Sequence, residues 1–136
     1  MTNQIDIENT ENNLNTKEAY IKNARKYLAK KLILLVPDIE PFDGLYVKQL
    51  NLREMTDYFE RCEEFNANNT DGLAGVRGKA LMIVDGDGNQ MFNPDDREDV
   101  DFLSKMPIAV MDKIVASFWN INGEDGLKKL LDARNS

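Results

Sequence analysis

Histidine is absent from the 136 residues and cysteine occurs once, as Cys62. The chain therefore lacks the Ser-His and Cys-His pairs of nucleophilic catalysis, the usual zinc-ligand sets and any internal disulfide. Carboxylates are plentiful, but the sequence gives no pair that can be assigned to one pocket. We predict that the protein is not an enzyme and needs no cofactor, and that Cys62 is a buried structural thiol.

Positive charge and long apolar runs are also scarce. The 17 Lys and Arg residues stand against 24 Asp and Glu residues, which gives a formal charge of -7. Such a chain repels phosphate backbones, and no apolar run reaches the length of a membrane span. The first residues have neither a basic start nor an apolar core segment, so we expect no secretory signal. The composition predicts a soluble protein of a reducing cytoplasm that binds neither nucleic acid nor membrane.

The chain divides into a short arm and one domain. Residues 1–15 are rich in Asn, Asp and Glu and predict a disordered, flexible acidic arm, because so few apolar side chains cannot offset the entropy of ordering. Residues 16–136 have the size and apolar content of a single helical domain. Thr16 is a candidate cap for a basic helix over 17–35. The basic face is either an ordinary solvated surface or a docking surface for an acidic partner.

The middle of the chain predicts a small β-hairpin followed by a helix. Pro37 and Pro41 interrupt the helical pattern, and Asp43-Gly44 precedes the alternating run 45–50, so a hairpin is expected near 38–50. Asn51 and Glu54 have capping-box spacing for the next helix. The apolar positions expected to point inward from that helix are Leu52, Met55, Phe59, Cys62 and Phe65.

The stretch Val84–Asp96, VDGDGNQMFNPDD, has two interpretations. As a calcium loop it offers oxygens from Asp85, Asp87, Asn89, the Met91 carbonyl and Asp96, but Gln90 stands where such loops need glycine and Asp96 where they carry a longer Glu. As architecture it is a Gly-rich turn, a short strand at Met91-Phe92, and a helix with Asn93 as N-cap and Pro94 in its first turn. The departures from the loop pattern favour the turn.

The last third predicts two further helices and a tail. One helix runs from Pro94 to Met106, and Pro107 starts another with a broad apolar face that ends at Asn122-Gly123 in an αL cap. The tail adds one or two helical turns. The predicted fold class is mainly α (α+β), with about four helices and a small β-hairpin.

The run from Ala80 to Gly123, ALMIVDGDGNQMFNPDDREDVDFLSKMPIAVMDKIVASFWNING, resembles the tail assembly chaperones of tailed bacteriophages. The upstream run YVKQLNLREMTDYFE, residues 46–60, is similar to the short β element and following helix of that family. The residues that carry the resemblance between 80 and 123 are Ile83, Val84, Asp85, Asp87, Gly88, Met91, Phe92, Asp96, Val100, Leu103, Pro107 and Asn122-Gly123.

The resemblance implies a binding function in the host bacterial cytoplasm. Such a chaperone binds the tape-measure protein, a long, largely helical and poorly soluble chain, and keeps it soluble while tail-tube subunits assemble around it. It is then absent from the mature virion. The major tail-tube protein is a second candidate partner, and homo-oligomer formation stays open. The predicted partner-binding residues, which could instead be core, are Met106, Ile108, Met111, Leu127, Leu130 and Leu131.

Two other functions remain as alternatives. The first is a calcium-binding module that uses the Asp85–Asp96 loop. The second is an acidic nucleic-acid mimic that inhibits a host protein, suggested by the carboxylates of Asp95, Asp96, Glu98, Asp99 and Asp101. Because these acids gather in the first turns of one predicted helix, capping and the helix dipole also account for them.

Overall fold

The computed structural model describes residues 16–28 and 31–135 and shows a mainly helical chain with one small sheet, which confirms the predicted fold class. The predicted arm, residues 1–15, lies outside this part of the chain. Instead of about four helices, the described residues form six. The elements are α1 Lys17–Leu28, β1 Ile33–Leu35, β2 Tyr46–Lys48, α2 Leu52–Ala67, α3 Ala74–Met82, α4 Arg97–Ser104, α5 Ile108–Ile121 and α6 Glu124–Asn135.

The two strands are antiparallel, with Leu34 opposite Val47. The predicted hairpin therefore exists, but its first strand is Ile33–Leu35, which the sequence analysis placed in the first helix. Val36 precedes a proline, and the residue before a proline is disfavoured in a helix, so the preceding apolar run is free to pair as a strand. Asp43-Gly44 is part of the connecting loop 36–45 rather than a two-residue turn, and Val36 N donates to Leu45 O across the base of that loop at 2.8 Å.

Helix α2 starts with the predicted capping box. The Asn51 side chain accepts from Glu54 N at 2.8 Å, and the Glu54 carboxylate accepts from Asn51 N at 2.9 Å. The predicted inward face was partly wrong, because Leu52 and Phe59 are exposed while Phe65 is buried. The buried face is rotated toward Tyr58, whose ring packs on Phe118 of α5.

The core is built around α5. Ile114 and Phe118 of this helix are fully buried and pack in one cluster with β2 and α3. Burial of a side chain of this size contributes on the order of 2 kcal/mol. The buried members of the cluster are Val36, Val47, Ala80, Met82, Ile83, Leu103, Val110, Met111, Ile114, Phe118 and Ile121.

The stretch between α3 and α4 is a turn, as favoured above, with two corrections. Val84 forms bridges to Tyr46 and Gln90, so the short strand predicted at Met91-Phe92 is not formed. Helix α4 begins at Arg97 with Asp96 as its N-cap, not Asn93. The Asn93 side chain instead accepts from Asp95 N at 2.9 Å, which turns the chain before the helix starts.

The junction after α5 also differs from the prediction. Gly123, which would carry the αL conformation, does not have a positive φ, and the C-cap Asn122 has φ -98° and ψ 8°, so no αL cap forms. The Asn122 side chain accepts from Leu50 N at 2.7 Å and donates to Lys48 O and Phe118 O, and these bonds replace an αL cap. The tail then forms the 12-residue helix α6, longer than the predicted one or two turns.

Candidate protein-binding surfaces

The six residues predicted to bind a partner do not form one surface. Met111 is buried in the core and Met106 is half-buried against it. Ile108, at the start of α5, is 78% exposed. Leu127 lies beyond the other end of α5, about 20 Å away along the axis of a helix of this length. The structure thus separates Ile108 from Leu127 and Leu130, which lie beside Ile121 and Asn122.

Leu127 and Leu130 of α6 line an open groove with Tyr27 and Leu28 of α1, which we call the α1–α6 groove. Its cavity volume is about 240 Å³. Leu28 is 71% exposed and Leu127 is 54% exposed, so the walls present apolar surface to solvent. The α6 leucines were predicted from the sequence to bind a partner, whereas Leu28 was not. The residues that complete the lining are Lys31, Gln49, Leu50, Asn51, Ile121, Asn122 and Gly123.

The polar groups around the α1–α6 groove are bonded to one another. Gln49 Nε2 donates to Gly126 O at 2.8 Å, and Lys31 forms an ion pair with Glu54. Burial opposes ionisation of Glu54, but hydrogen bonds from Lys31 and Asn51 and the charge of Lys31 outweigh it and lower the pKa of Glu54. A ligand of this groove would therefore meet mainly apolar side chains.

A glycine sets the position of α6 beside the α1–α6 groove. Gly126 is buried, and a Cβ atom at this position would overlap the backbone carbonyl of Ile121. Only glycine permits this close approach of α6 to the end of α5. This role of Gly126 could not be predicted from the sequence, because an isolated glycine in a helical pattern does not reveal which backbone it approaches.

A second apolar surface lies where α2 meets α5. The rings of Phe59 and Trp119 are stacked, with centroids 6.2 Å apart and an interplanar angle of 25°. Phe59 is 51% exposed and Trp119 is 42% exposed, and beneath them Tyr58 packs against Phe118 with centroids 5.3 Å apart. We call Phe59 and Trp119 the aromatic patch. The aromatic patch was not predicted from the sequence, because the helical spacing of Phe59 assigned its side chain to the core.

Cys62 is half-buried on α2 beside Tyr58 rather than fully buried. Burial of the phenol, followed by the neighbouring Cys62, raises the pKa of Tyr58 above its ordinary value. The phenol therefore stays protonated across the physiological pH range. The side chains of Tyr58 and Cys62 pack between α2 and the neighbouring helices.

The residues of the calcium alternative are used for local backbone structure. Asp85 Oδ1 accepts from Asp87 N at 2.9 Å and from Asn89 N at 3.0 Å. Asp96 caps α4. Within residues 16–28 and 31–135, no group of three or more His, Cys, Asp or Glu side chains could hold a metal ion. The turn instead supports the sheet, since Lys48 Nζ donates to Gly88 O at 2.9 Å.

The acids of the mimic alternative are mostly engaged with neighbours. Asp95 pairs with Arg61 at 2.9 Å and Asp101 pairs with Arg97 at 2.9 Å. Asp96 caps α4, and Asp99 accepts from Asn93 N at 2.8 Å. These bonds fix the start of α4 and leave Glu98 as the member of the set with no such bond in the described part of the chain.

Comparison of the chain with protein-family models, with curated proteins and with solved structures finds no match. Among the described helices, none is both long and apolar enough to cross a membrane. The assignment of function therefore depends on the surfaces described above and on the sequence resemblance.

Proposed function

We propose that this protein is a tail assembly chaperone of a tailed bacteriophage or prophage, which binds the tape-measure protein and keeps it soluble in the host cytoplasm. The observation that carries the proposal is the α1–α6 groove, an open apolar surface on a small acidic domain. The tape-measure protein is proposed as the partner because residues 46–60 and 80–123 resemble that family. The major tail-tube protein is a second proposed partner.

The α1–α6 groove has the chemistry that such a task needs. Leu28 and Leu127 offer apolar contacts to an apolar stripe of a helical client, and removal of that stripe from water favours binding. The formal charge of -7 makes complexes repel one another and so opposes aggregation. A surface this small binds reversibly, which allows release when tube subunits cover the client and leaves the chaperone out of the virion.

The test is co-expression with a tape-measure protein from the genome that encodes this chain. The fraction of tape-measure protein in the supernatant after centrifugation is measured with and without the chaperone. We expect the wild-type chain to raise this fraction several-fold. The double variant Leu28→Ser/Leu127→Ser should lose most of the gain, because it removes apolar surface from both walls of the groove.

The matched control is Ile39→Ser, which removes an exposed apolar side chain from the loop 36–45, away from the groove lining. It should retain the gain in solubility. Thermal unfolding followed by circular dichroism verifies that all variants are folded. A wild-type chain that leaves the tape-measure protein insoluble would refute the proposed function, whereas a fully active groove variant would refute the assignment to this groove.

A further inference from the structure

We propose that the free edge of strand β1 is a self-association surface, at which two copies of the chain pair their β1 strands antiparallel and form one continuous sheet. The inference goes beyond the proposed function and does not rest on it. It depends on the backbone groups and side chains of Ile33–Leu35, and its test needs this protein alone.

Strand β1 lies at an open edge of the sheet. Gln49 N donates to Leu32 O at 3.0 Å, so the backbone groups of Leu32 face the neighbouring strand β2. Along a strand, successive residues turn their N–H and C=O groups alternately toward and away from the neighbouring strand. The N–H and C=O groups of Ile33 and Leu35 therefore point away from β2.

The other edge of the sheet is closed. On β2, Tyr46 N donates to Val84 O at 3.0 Å, and Val84 N donates to Tyr46 O at 2.8 Å. Val84 also forms a bridge to Gln90. On the β1 edge, the N–H and C=O groups of Ile33 and Leu35 make no hydrogen bond within the described part of the chain. Unpaired strand groups of this kind select an extended backbone as their partner.

The side chains of β1 add apolar surface to these backbone groups. Ile33, Leu34 and Leu35 are all exposed, and the strand has no polar residue. Proteins commonly keep edge strands from pairing with charged side chains or proline, and β1 carries neither. The same edge therefore offers hydrogen bonds and apolar contacts to one partner.

A second copy of the chain complements this edge. A two-fold axis beside Leu34 places Ile33 opposite Leu35 of the second copy, so that each outward N–H group meets an outward C=O group. Leu34 then lies opposite its own counterpart, and every side-chain pair along the two strands is apolar. Lys31 falls opposite Pro37 rather than opposite another lysine, so like charges do not meet across the axis.

A helical client fits the edge less well than a second copy does. A helix would have to unfold locally before it could add a strand, whereas the second copy offers β1 already extended and so loses little backbone entropy. The strand has only 3 residues, so the pair buries far less than the roughly 1,200–2,000 Å² of a stable interface. The dimer should therefore be weak, with a Kd of about 10 μM to 1 mM.

Analytical ultracentrifugation of the full-length protein, from about 1 μM to about 1 mM, measures the association. We expect the weight-average mass to rise with concentration toward twice the mass of one chain. Leu35→Pro should keep the mass at that of one chain. This variant removes an N–H group that points away from β2 and leaves the hydrogen bonds between β1 and β2 in place. Circular dichroism verifies that the variant is folded.

Charge variants of Leu34 test the register of the pairing. Leu34→Lys alone and Leu34→Glu alone should each stay monomeric, because like charges then meet at the two-fold axis. An equimolar mixture of the two variants should associate again, because Lys and Glu then lie opposite each other. The matched controls are Ile108→Lys and Ile108→Glu, which change an exposed isoleucine of α5 outside the sheet. Each control alone should associate as the wild-type chain does.

Several outcomes would overturn the proposal. These are a wild-type chain that stays monomeric at the highest concentration, a Leu35→Pro variant that still dimerises, and a mixture of the Leu34 variants that stays monomeric. If the intact chain stays monomeric and a chain without residues 1–15 dimerises, that segment occupies the edge instead. If the amides of Ile33 and Leu35 are protected from hydrogen exchange only in a complex with the tape-measure protein, the edge binds the client.

The two proposals fail independently. A wild-type chain that dimerises through β1 but leaves the tape-measure protein insoluble would support the self-association surface and refute the proposed function. A chain that stays monomeric and keeps the tape-measure protein soluble would support the proposed function and refute the self-association surface.

Discussion

At the scale of single residues, Asp71 links α3 to α4. Its carboxylate accepts from both terminal nitrogens of Arg77, at 2.9 Å and 2.7 Å, and lies 3.2 Å from Arg97 Nη1. Hydrogen bonds from Arg77, then the Leu73 amide and the arginine charges, hold the pKa of Asp71 well below its ordinary value. A carboxyl group whose pKa is lower in the folded chain than in the unfolded chain stabilises the fold. This contribution is fully present at pH values above the pKa of the unfolded state.

We therefore expect Asp71→Asn to reduce the free energy of unfolding at neutral pH. The difference from wild type should shrink as pH falls below about 4, the unfolded pKa of Asp, because the wild-type carboxyl then loses its contribution too. Urea unfolding midpoints at several pH values measure this difference. Asp87→Asn, which removes a turn carboxylate with no ion pair in the described residues, is the control. A difference that does not depend on pH would contradict the prediction.

Gly88 gives a second prediction at this scale. It has φ +87° and is buried, and a Cβ atom would lie 3.1 Å from Ile33 Cδ1. Gly88→Ala should lower the free energy of unfolding by about 1–2 kcal/mol, because an L-residue is strained at this φ. The matched variant Gly75→Ala lies in α3 with open space around the added methyl and should stabilise by up to about 1 kcal/mol. Chemical denaturation of both variants tests the opposite signs.

At the scale of elements, the side chain of Asn122 joins the end of α5 to the end of β2 and the start of α2. Asn122→Ala removes three hydrogen bonds and leaves Leu50 N and Lys48 O without this partner. Loss of bonds to partly buried backbone groups should reduce the free energy of unfolding by about 1–3 kcal/mol.

Asn120→Ala is the control for this junction, since it changes an exposed asparagine of the same helix. It should alter the free energy of unfolding by no more than about 0.5 kcal/mol. Thermal or urea unfolding compares the two variants. Equal effects would show that the Asn122 side chain does not tie the elements together.

At the scale of the whole molecule, stability depends on the core around α5, and two isoleucines of that helix test it. Ile114 is fully buried, whereas Ile108 is exposed. Ile114→Val should cost about 0.5–1.5 kcal/mol because it leaves a small cavity. Ile108→Val should change stability by less than about 0.5 kcal/mol. Urea unfolding measures the change in the free energy of unfolding for both variants. A larger loss of stability from Ile108→Val than from Ile114→Val would contradict the assignment of Ile114 to the core.

The sequence predicted the structure correctly where a single local rule decides it. The Asn51–Glu54 capping box and the start of α5 after Pro107 were predicted because caps and prolines act within one turn of the chain. The prediction was wrong at Ile33–Leu35, because the spacing of apolar residues in this run fits a helix and a strand equally well. Pairing with Tyr46–Lys48 decided that choice.

The candidate surfaces were predicted only in part, because they too depend on contacts between elements that are distant in sequence. The leucines of α6 were recognised as apolar, but which elements they face depends on Gly126, whose close approach to Ile121 positions the helix. Phe59 was assigned to the core, yet the rotation of α2 toward Phe118 leaves its ring half-exposed on Trp119. Side chains at the border of a helix face cannot be assigned from spacing alone.

The sequence by itself determined the helical class and the acidic charge, because periodicity, capping and composition are local or additive properties. It also favoured a turn over a metal loop at Val84–Asp96, since Gln90 and Asp96 break the loop pattern. Only the tertiary structure decided which apolar side chains form the core and which form the α1–α6 groove and the aromatic patch. That division depends on contacts between residues distant in sequence, such as Tyr58 with Phe118 and Leu50 with Asn122, and no local pattern encodes them.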